Sequence, residues 1–173
     1  GTRSMLNYNG LMYRLTHTGG ALIVLGLITL ILNLYLDQCY KKKIIQRDEI
    51  KKNCENRKKN RKDALWSVGI IALGLIYCGS YFNKIQDPQV AEFVGIFCYD
   101  HRSGVAPPFP YTLAYTFLPA INDGFHKDEF YLDVATRKDI LPEGFEEGQL
   151  YRIYYEESCK VILGVDVLSS DKE

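Results

Sequence analysis

Two stretches of this chain hold no charged residue, and its last half alternates between apolar and polar positions. Gly19–Leu36 reads GGALIVLGLITLILNLYL, and Ala64–Phe82 reads ALWSVGIIALGLIYCGSYF. Each is close to the ~20 residues with which a helix crosses ~30 Å of hydrocarbon. The pattern predicts two transmembrane helices, over 19–36 and 64–82. Residues 37–63 contain no Pro or Gly and are rich in Lys, Arg, Gln and Glu, which are good helix formers. The spans are therefore expected to continue as helices, with a turn near Asn53–Asn60. Asn33, Ser67, Ser80 and the glycines at 69, 74 and 79 are the small or polar interior positions, and they predict a face on which the two spans pack.

Residues 83–89, which include Asp87-Pro88, read as a polar linker. Beyond it the period changes from helical to extended. Val90–Tyr99, Tyr111–Leu118, Glu129–Val134, Gln149–Tyr155 and Lys160–Val167 are rich in β-branched and aromatic residues and are separated by turn signals. They predict five short strands over 90–168, with Phe93, Phe97, Tyr115, Phe117, Phe130, Leu132, Ile153, Val161 and Leu163 as the core. In the fourth strand, alternation puts Tyr151, Ile153 and Tyr155 on one face. That face is expected to point inward, because Arg152 on the other would need a buried partner. The predicted fold class is an α+β membrane protein: a two-helix transmembrane hairpin followed by a small antiparallel β-barrel. Residues 1–18 and 169–173 are tails. Gly1-Thr2-Arg3-Ser4 ahead of Met5 reads as an expression remnant, and no A-x-A-like cleavage site follows the first apolar stretch.

The net charge of zero conceals a segregation. Residues 37–63 carry eleven Lys/Arg against five acids, and 83–173 carry eight against sixteen, so the first is at +6 and the second at −8. Basic residues in short loops beside spans are retained in the cytoplasm. The expected topology is a multi-pass cell-membrane protein with the loop inside and the C-terminal domain extracytoplasmic. Lys41, Lys42, Lys43, Lys51, Lys52, Arg57, Lys58 and Lys59 are the candidates for facing anionic lipid. A domain at −8 repels phosphates, so nucleic acid is not an expected partner.

Glu147–Tyr155 (EGQLYRIYY) followed by Ser158–Val165 (SCKVILGV) resembles the end of small OB- or SH3-like barrels that recur in membrane-anchored proteins of Gram-positive bacteria. The resemblance implies a fold and no catalytic residues.

Candidate chemistry is sparse. His126 lies near Asp123, Asp128 and Glu129, but the spacing matches no EF-hand and no H-E-x-x-H, so no metal is expected. Asp100-His101-Arg102-Ser103 contains base and nucleophile types without a nucleophile-elbow glycine pattern. Gly95, Gly104 and Gly124 are isolated and read as turn or bulge positions, so no phosphate loop and no cofactor is expected. Cys98 and Cys159 are expected to be small buried thiols, although a pairing on the outer side is the alternative. Of the aromatics Phe109, Tyr111, Tyr115, Tyr131 and Tyr154, most are expected in the core. Arg102, Tyr131, Arg137, Lys138, Arg152 and Tyr154 are the candidates for a ligand or partner face.

The reading is a non-enzymatic bacterial membrane protein. It presents an extracytoplasmic barrel to a protein partner, as an accessory subunit of a membrane complex or an immunity-type protein, with membrane lipid and a homo-oligomer as further partners. The alternative is a ligand-gated membrane effector with a cytoplasmic barrel that senses a cyclic nucleotide; in architecture the chain resembles bacterial antiviral effectors of that kind. A membrane enzyme ranks last.

Overall fold

The computed structural model describes residues 6–103, 112–121 and 127–169. The expectations for Gly1–Ser4, Gly104, Phe109, Tyr111, Asp123, Gly124 and His126 fall on residues outside these, as do residues 170–173. The chain forms two units. One comprises residues 18–79; the other comprises residues 80–173 together with residues 1–17.

The first unit is a helical hairpin. It contains α2 (Gly20–Ile45) and most of α3 (Ile50–Gln86). Both are long and apolar enough to cross a membrane. The turn falls at residues 46–49, not near Asn53–Asn60. Arg47 and Glu49 take left-handed backbone conformations there, at φ 63° and 39°. The asparagines serve the hairpin differently. The Asn53 amide donates to the Glu49 carbonyl and its side chain to the Asp48 carbonyl, at 3.1 and 2.6 Å, which ties α3 to the turn. Asn53, Asn60, Ser67 and Gly74 recur every seven residues and are all buried. They form the seam of α3. Gly26 of α2 and Gly19, the residue just ahead of that helix, hold the same spacing. A seven-residue period keeps one face of a helix turned to its neighbour.

Small residues let the backbones close. A methyl group on Gly26 would lie 3.1 Å from the Ser67 carbonyl, and one on Gly74 would lie 2.8 Å from Ile23. Gly69 and Gly79 face open space instead. At the turn end, Arg57 grips Asp37 with two hydrogen bonds of 3.0 and 3.2 Å, and Arg61 approaches at 3.5 Å.

The second unit is a five-stranded sheet: β1 (Val90–Ser103), β2 (Thr112–Pro119), β3 (Asp128–Asp133), β4 (Leu150–Glu156) and β5 (Val161–Leu168), with α4 (Val134–Ile140) between β3 and β4. The order β1-β2-β3-β5-β4 closes on itself, because β1 also pairs with β4. All pairings are antiparallel except β3–β5, a parallel bridge at Tyr131 and Val161. α3 runs through Gln86, so most of the expected linker is helical.

The core is aromatic: Phe97, Tyr115, Phe117, Phe130 and Tyr151 surround Leu113, Leu132, Ile153 and Ile162. Phe93, Tyr155 and Phe145 pack against it. The expected inward face of β4 is the one found. Val161 and Leu163 are buried too, but on the opposite face of β5 from Ile162. Gly148 starts the β4 hairpin at φ +80°, a conformation that favours glycine, and donates its amide to the Phe97 carbonyl.

The segment expected as a tail is part of this unit. α1 (Asn9–Tyr13) packs on α4, β3 and β5, and a π-helical turn over Arg14–Gly19 follows it. A methyl group on Gly10 would come within 3.2 Å of Val161 Cγ1. The Asn7 amide donates to the Leu163 carbonyl at 2.7 Å, and Leu11 is 0% exposed. This short segment covers the seam where β3 and β5 pair least.

Candidate functional site

The six residues nominated for a binding face are distributed over four elements. Arg137 and Lys138 lie on α4, Arg152 and Tyr154 on β4, Arg102 on β1 and Tyr131 on β3. Tyr154 is buried and its hydroxyl donates to Asp166 at 3.0 Å. Arg152 is half-buried, paired in register with Val94 and Asp166. In the basic segment, the seven lysines point to solvent in the hairpin, whereas Arg57 is turned to Asp37.

Tyr131 belongs to a set that crosses three strands. A bulge at Cys98 shifts the β1–β2 register between Phe97 and Tyr99. Phe97 faces the core, and two residues later Tyr99 is 49% exposed. Without the bulge the period of two would have turned both inward. Tyr99 now shares a register row with Thr116 of β2 and Glu129 of β3. The next row is His101, Ala114 and Tyr131. His101 Nε2 lies 3.8 Å from Glu129 Oε1, and the Tyr131 hydroxyl donates to Glu129 Oε2 at 3.4 Å. Asp100, on the adjacent position of β1, pairs in register with core Tyr115 and not with this set. Among the described residues, no three His, Cys, Asp or Glu side chains come together as metal ligands.

A second apolar row crosses the outer surface: Leu118 of β2, Ile96 of β1, Leu150 of β4 and Leu168 of β5 stand side by side. Ile96 is exposed and the other three are half-buried.

Two buried carboxylates stand apart from these faces. Asp133, 1% exposed, sits where β3 passes into α4, with Arg14 Nε 3.6 Å from its Oδ2, an ion pair too long for a hydrogen bond. Burial raises its pKa to about 6, against the opposing pull of Arg14. Arg14 also donates to the Tyr81 hydroxyl at 3.2 Å and lies over the Tyr131 ring at 6.0 Å. Glu156 accepts from Ser158 Oγ at 2.6 Å and the Cys159 amide at 3.0 Å, and so builds the β4–β5 turn. Burial raises its pKa, but those hydrogen bonds outweigh it and the net shift is downward. Burial and the neighbouring Glu156 push the Cys159 thiol up to about 11. Cys98 and Cys159 are both free thiols.

Sequence reading missed Tyr99, Thr116 and the whole Arg14–Asp133 junction. Comparison with family models, curated proteins and solved structures finds no match to this chain.

Proposed function

We propose that this is a two-span, non-enzymatic membrane protein that presents an OB-like β-barrel outside the cytoplasm to a protein partner of basic character. The strand order, the parallel β3–β5 bridge and the helix between β3 and β4 favour an OB-like over an SH3-like barrel. The observation that carries the partner reading is the Leu118–Ile96–Leu150–Leu168 row. It is an apolar strip on a region whose net charge is −8. Apolar contact surrounded by one sign of charge suits a partner of the opposite sign, which the field also steers. The +6 segment argues that the turn stays in the cytoplasm. Residues 6–17 and the barrel form one unit, which supports a reading with the N-terminal segment and the barrel on the same side.

The test has two arms. Alkaline phosphatase fused after Glu173 should be active, and a photo-crosslinker at Ile96 should give an adduct of defined mass in intact cells. An inactive phosphatase with bright fluorescence from a matching green-fluorescent fusion would favour the cytoplasmic sensor. An active phosphatase without any adduct would keep the topology and remove the partner.

A further inference from the structure

Residues 141–148 (LPEGFEEG) carry three glutamates in a loop that the core anchors. Phe145 reaches back into the aromatic cluster, its ring centre 4.7 Å from that of Tyr115, 5.2 Å from Phe117 and 5.0 Å from Tyr151. The Glu146 amide donates to the Tyr151 hydroxyl at 2.8 Å, and the Gly144 amide to the Leu141 carbonyl at 3.1 Å. Where this loop meets the start of β4 and the end of β5, a cavity of about 110 Å³ opens. Leu141, Tyr151 and Val167 line it with apolar surface, and Glu143, Glu146 and Gln149 with polar groups. Val167 is 60% exposed, so the cavity is open to solvent on that side. Arg137 approaches the loop from behind Gly144, where a methyl group would meet its Nη2 at 2.9 Å. Among the described residues, though, neither Glu143 nor Glu146 has a cation within ion-pair distance.

We propose that this cavity is a socket for one cationic side chain, a lysine or arginine of the protein partner that covers the apolar row. Its size selects a single unbranched chain, since an apolar cavity of ~150 Å³ is what holds one benzene ring. Leu141, Tyr151 and Val167 suit a methylene stem, and the two carboxylates suit a charged head. An anion would meet both glutamates. A metal ion finds no set of three ligands among the described residues. The socket is continuous with the row through Ile96. Gln149 and Val167 of its lining directly precede Leu150 and Leu168 of the row. The Gln149 side-chain amide donates to the carbonyls of both leucines, at 3.1 and 2.6 Å. A partner lying on Leu150 and Leu168 reaches the cavity by turning round the end of β5. Phe145 and the Tyr151 hydroxyl fix the loop beforehand, which lowers the ordering cost of binding. The socket rests on the partner reading and names the anchor that such a partner would use.

The test uses the full chain in nanodiscs and three small probes, the Nα-acetyl amides of lysine, arginine and norleucine, each to about 50 mM. Saturable shifts of the Gly144 and Gln149 amide resonances are expected with lysine or arginine and not with norleucine. Glu143→Gln and Glu146→Gln together should weaken that binding about tenfold or more, and Glu92→Gln on β1 should leave it unchanged. The second arm reads the photo-crosslinker at Ile96 in intact cells, where the same double substitution should lower the adduct about tenfold. An adduct indifferent to the double substitution would overturn the socket and leave the partner reading standing. So would equal binding of the norleucine amide, or no binding of either cation. Binding of the cations with no adduct at all would remove the protein partner, and with it the assignment of the cation to a partner's side chain.

Discussion

The helical hairpin and the β unit bury themselves by opposite means. In the hairpin the contact positions are small or polar: Gly19, Gly26, Asn53, Asn60, Ser67 and Gly74, closed by the Asp37–Arg57 pair. Leu25, Ile28, Leu32, Leu65, Trp66 and Ile76 point outward. In the β unit the rings go inside, and Phe97, Tyr115, Phe117, Phe130 and Tyr151 meet one another. Under the proposed span assignment the contrast is one of solvent. Burying an aromatic ring removes a large apolar area from water, at ~25 cal/mol per Å². Hydrocarbon gives no such drive between helices, so close backbone approach and polar clamps hold them instead. An inside-out hairpin beside a conventional core is what the proposed span assignment requires of the two units.

The largest effect should come from the aromatic core. Ile153→Ala removes a side chain of 0% exposure and should cost about 2–5 kcal/mol in urea unfolding followed by the β signal. A cost below ~1 kcal/mol would mean that β4 faces the other way. The next is the Arg14–Asp133 junction. Arg14→Met leaves a buried carboxylate without its cation and should cost on the order of 3 kcal/mol at pH 8. At pH 5 the cost should be smaller, because Asp133 can then take up a proton.

The same carboxylates set the pH profile. The folded pKa of Asp133, about 6, lies above the ordinary 3.8, so its contribution is full below 3.8 and is lost as pH rises through 6. Glu156 has a lowered folded pKa, so its contribution is present above 4.5 and is lost as pH falls below that value. Stability of the β unit should therefore peak between these limits. Asp133→Asn should flatten the decline between pH 3.8 and about 6 and leave the acid limb in place. A profile unchanged by that substitution would remove Asp133 from the account.

In the hairpin, Gly26→Val should cost about 1–3 kcal/mol by overpacking the seam, measured as loss of helix–helix proximity by energy transfer in detergent. Gly69→Val, which meets open space, should change little. Equal effects at both positions would dissolve the seam. The smallest change is expected for Arg152→Ala, within about 0.5 kcal/mol by thermal unfolding.

How much of this was legible in the sequence differs between the units. The two apolar stretches, the alternation that turns Tyr151 and Ile153 inward and the glycine that opens the β4 hairpin are local signals, and each led to the right element. The turn at residues 46–49 carries no such mark, because Arg47 and Glu49 hold left-handed conformations that glycine or asparagine usually announces. Asn53 and Asn60 drew the expected turn to themselves while serving the seam. The docking of α1 was hidden for another reason. Leu11 and Gly10 sit in a five-residue helix, too short to show a period, and their partners Val161 and Asp133 are far along the chain. Tyr131 was singled out for the candidate face, but its companion Tyr99 shares the parity of core Phe97. Only the bulge at Cys98, which has no sequence signature, turns it outward.

The central claim is that the N-terminal segment and the barrel share one side of a membrane and the residue 46–49 turn lies on the other. Single cysteines placed by Asn9→Cys, Lys51→Cys and Glu157→Cys, in a chain whose five native cysteines are serine, test it directly. In intact cells a membrane-impermeant maleimide should label the first and third, and the second only after lysis. Labelling of Lys51→Cys in intact cells, or a difference in sidedness between Asn9→Cys and Glu157→Cys, would contradict the account.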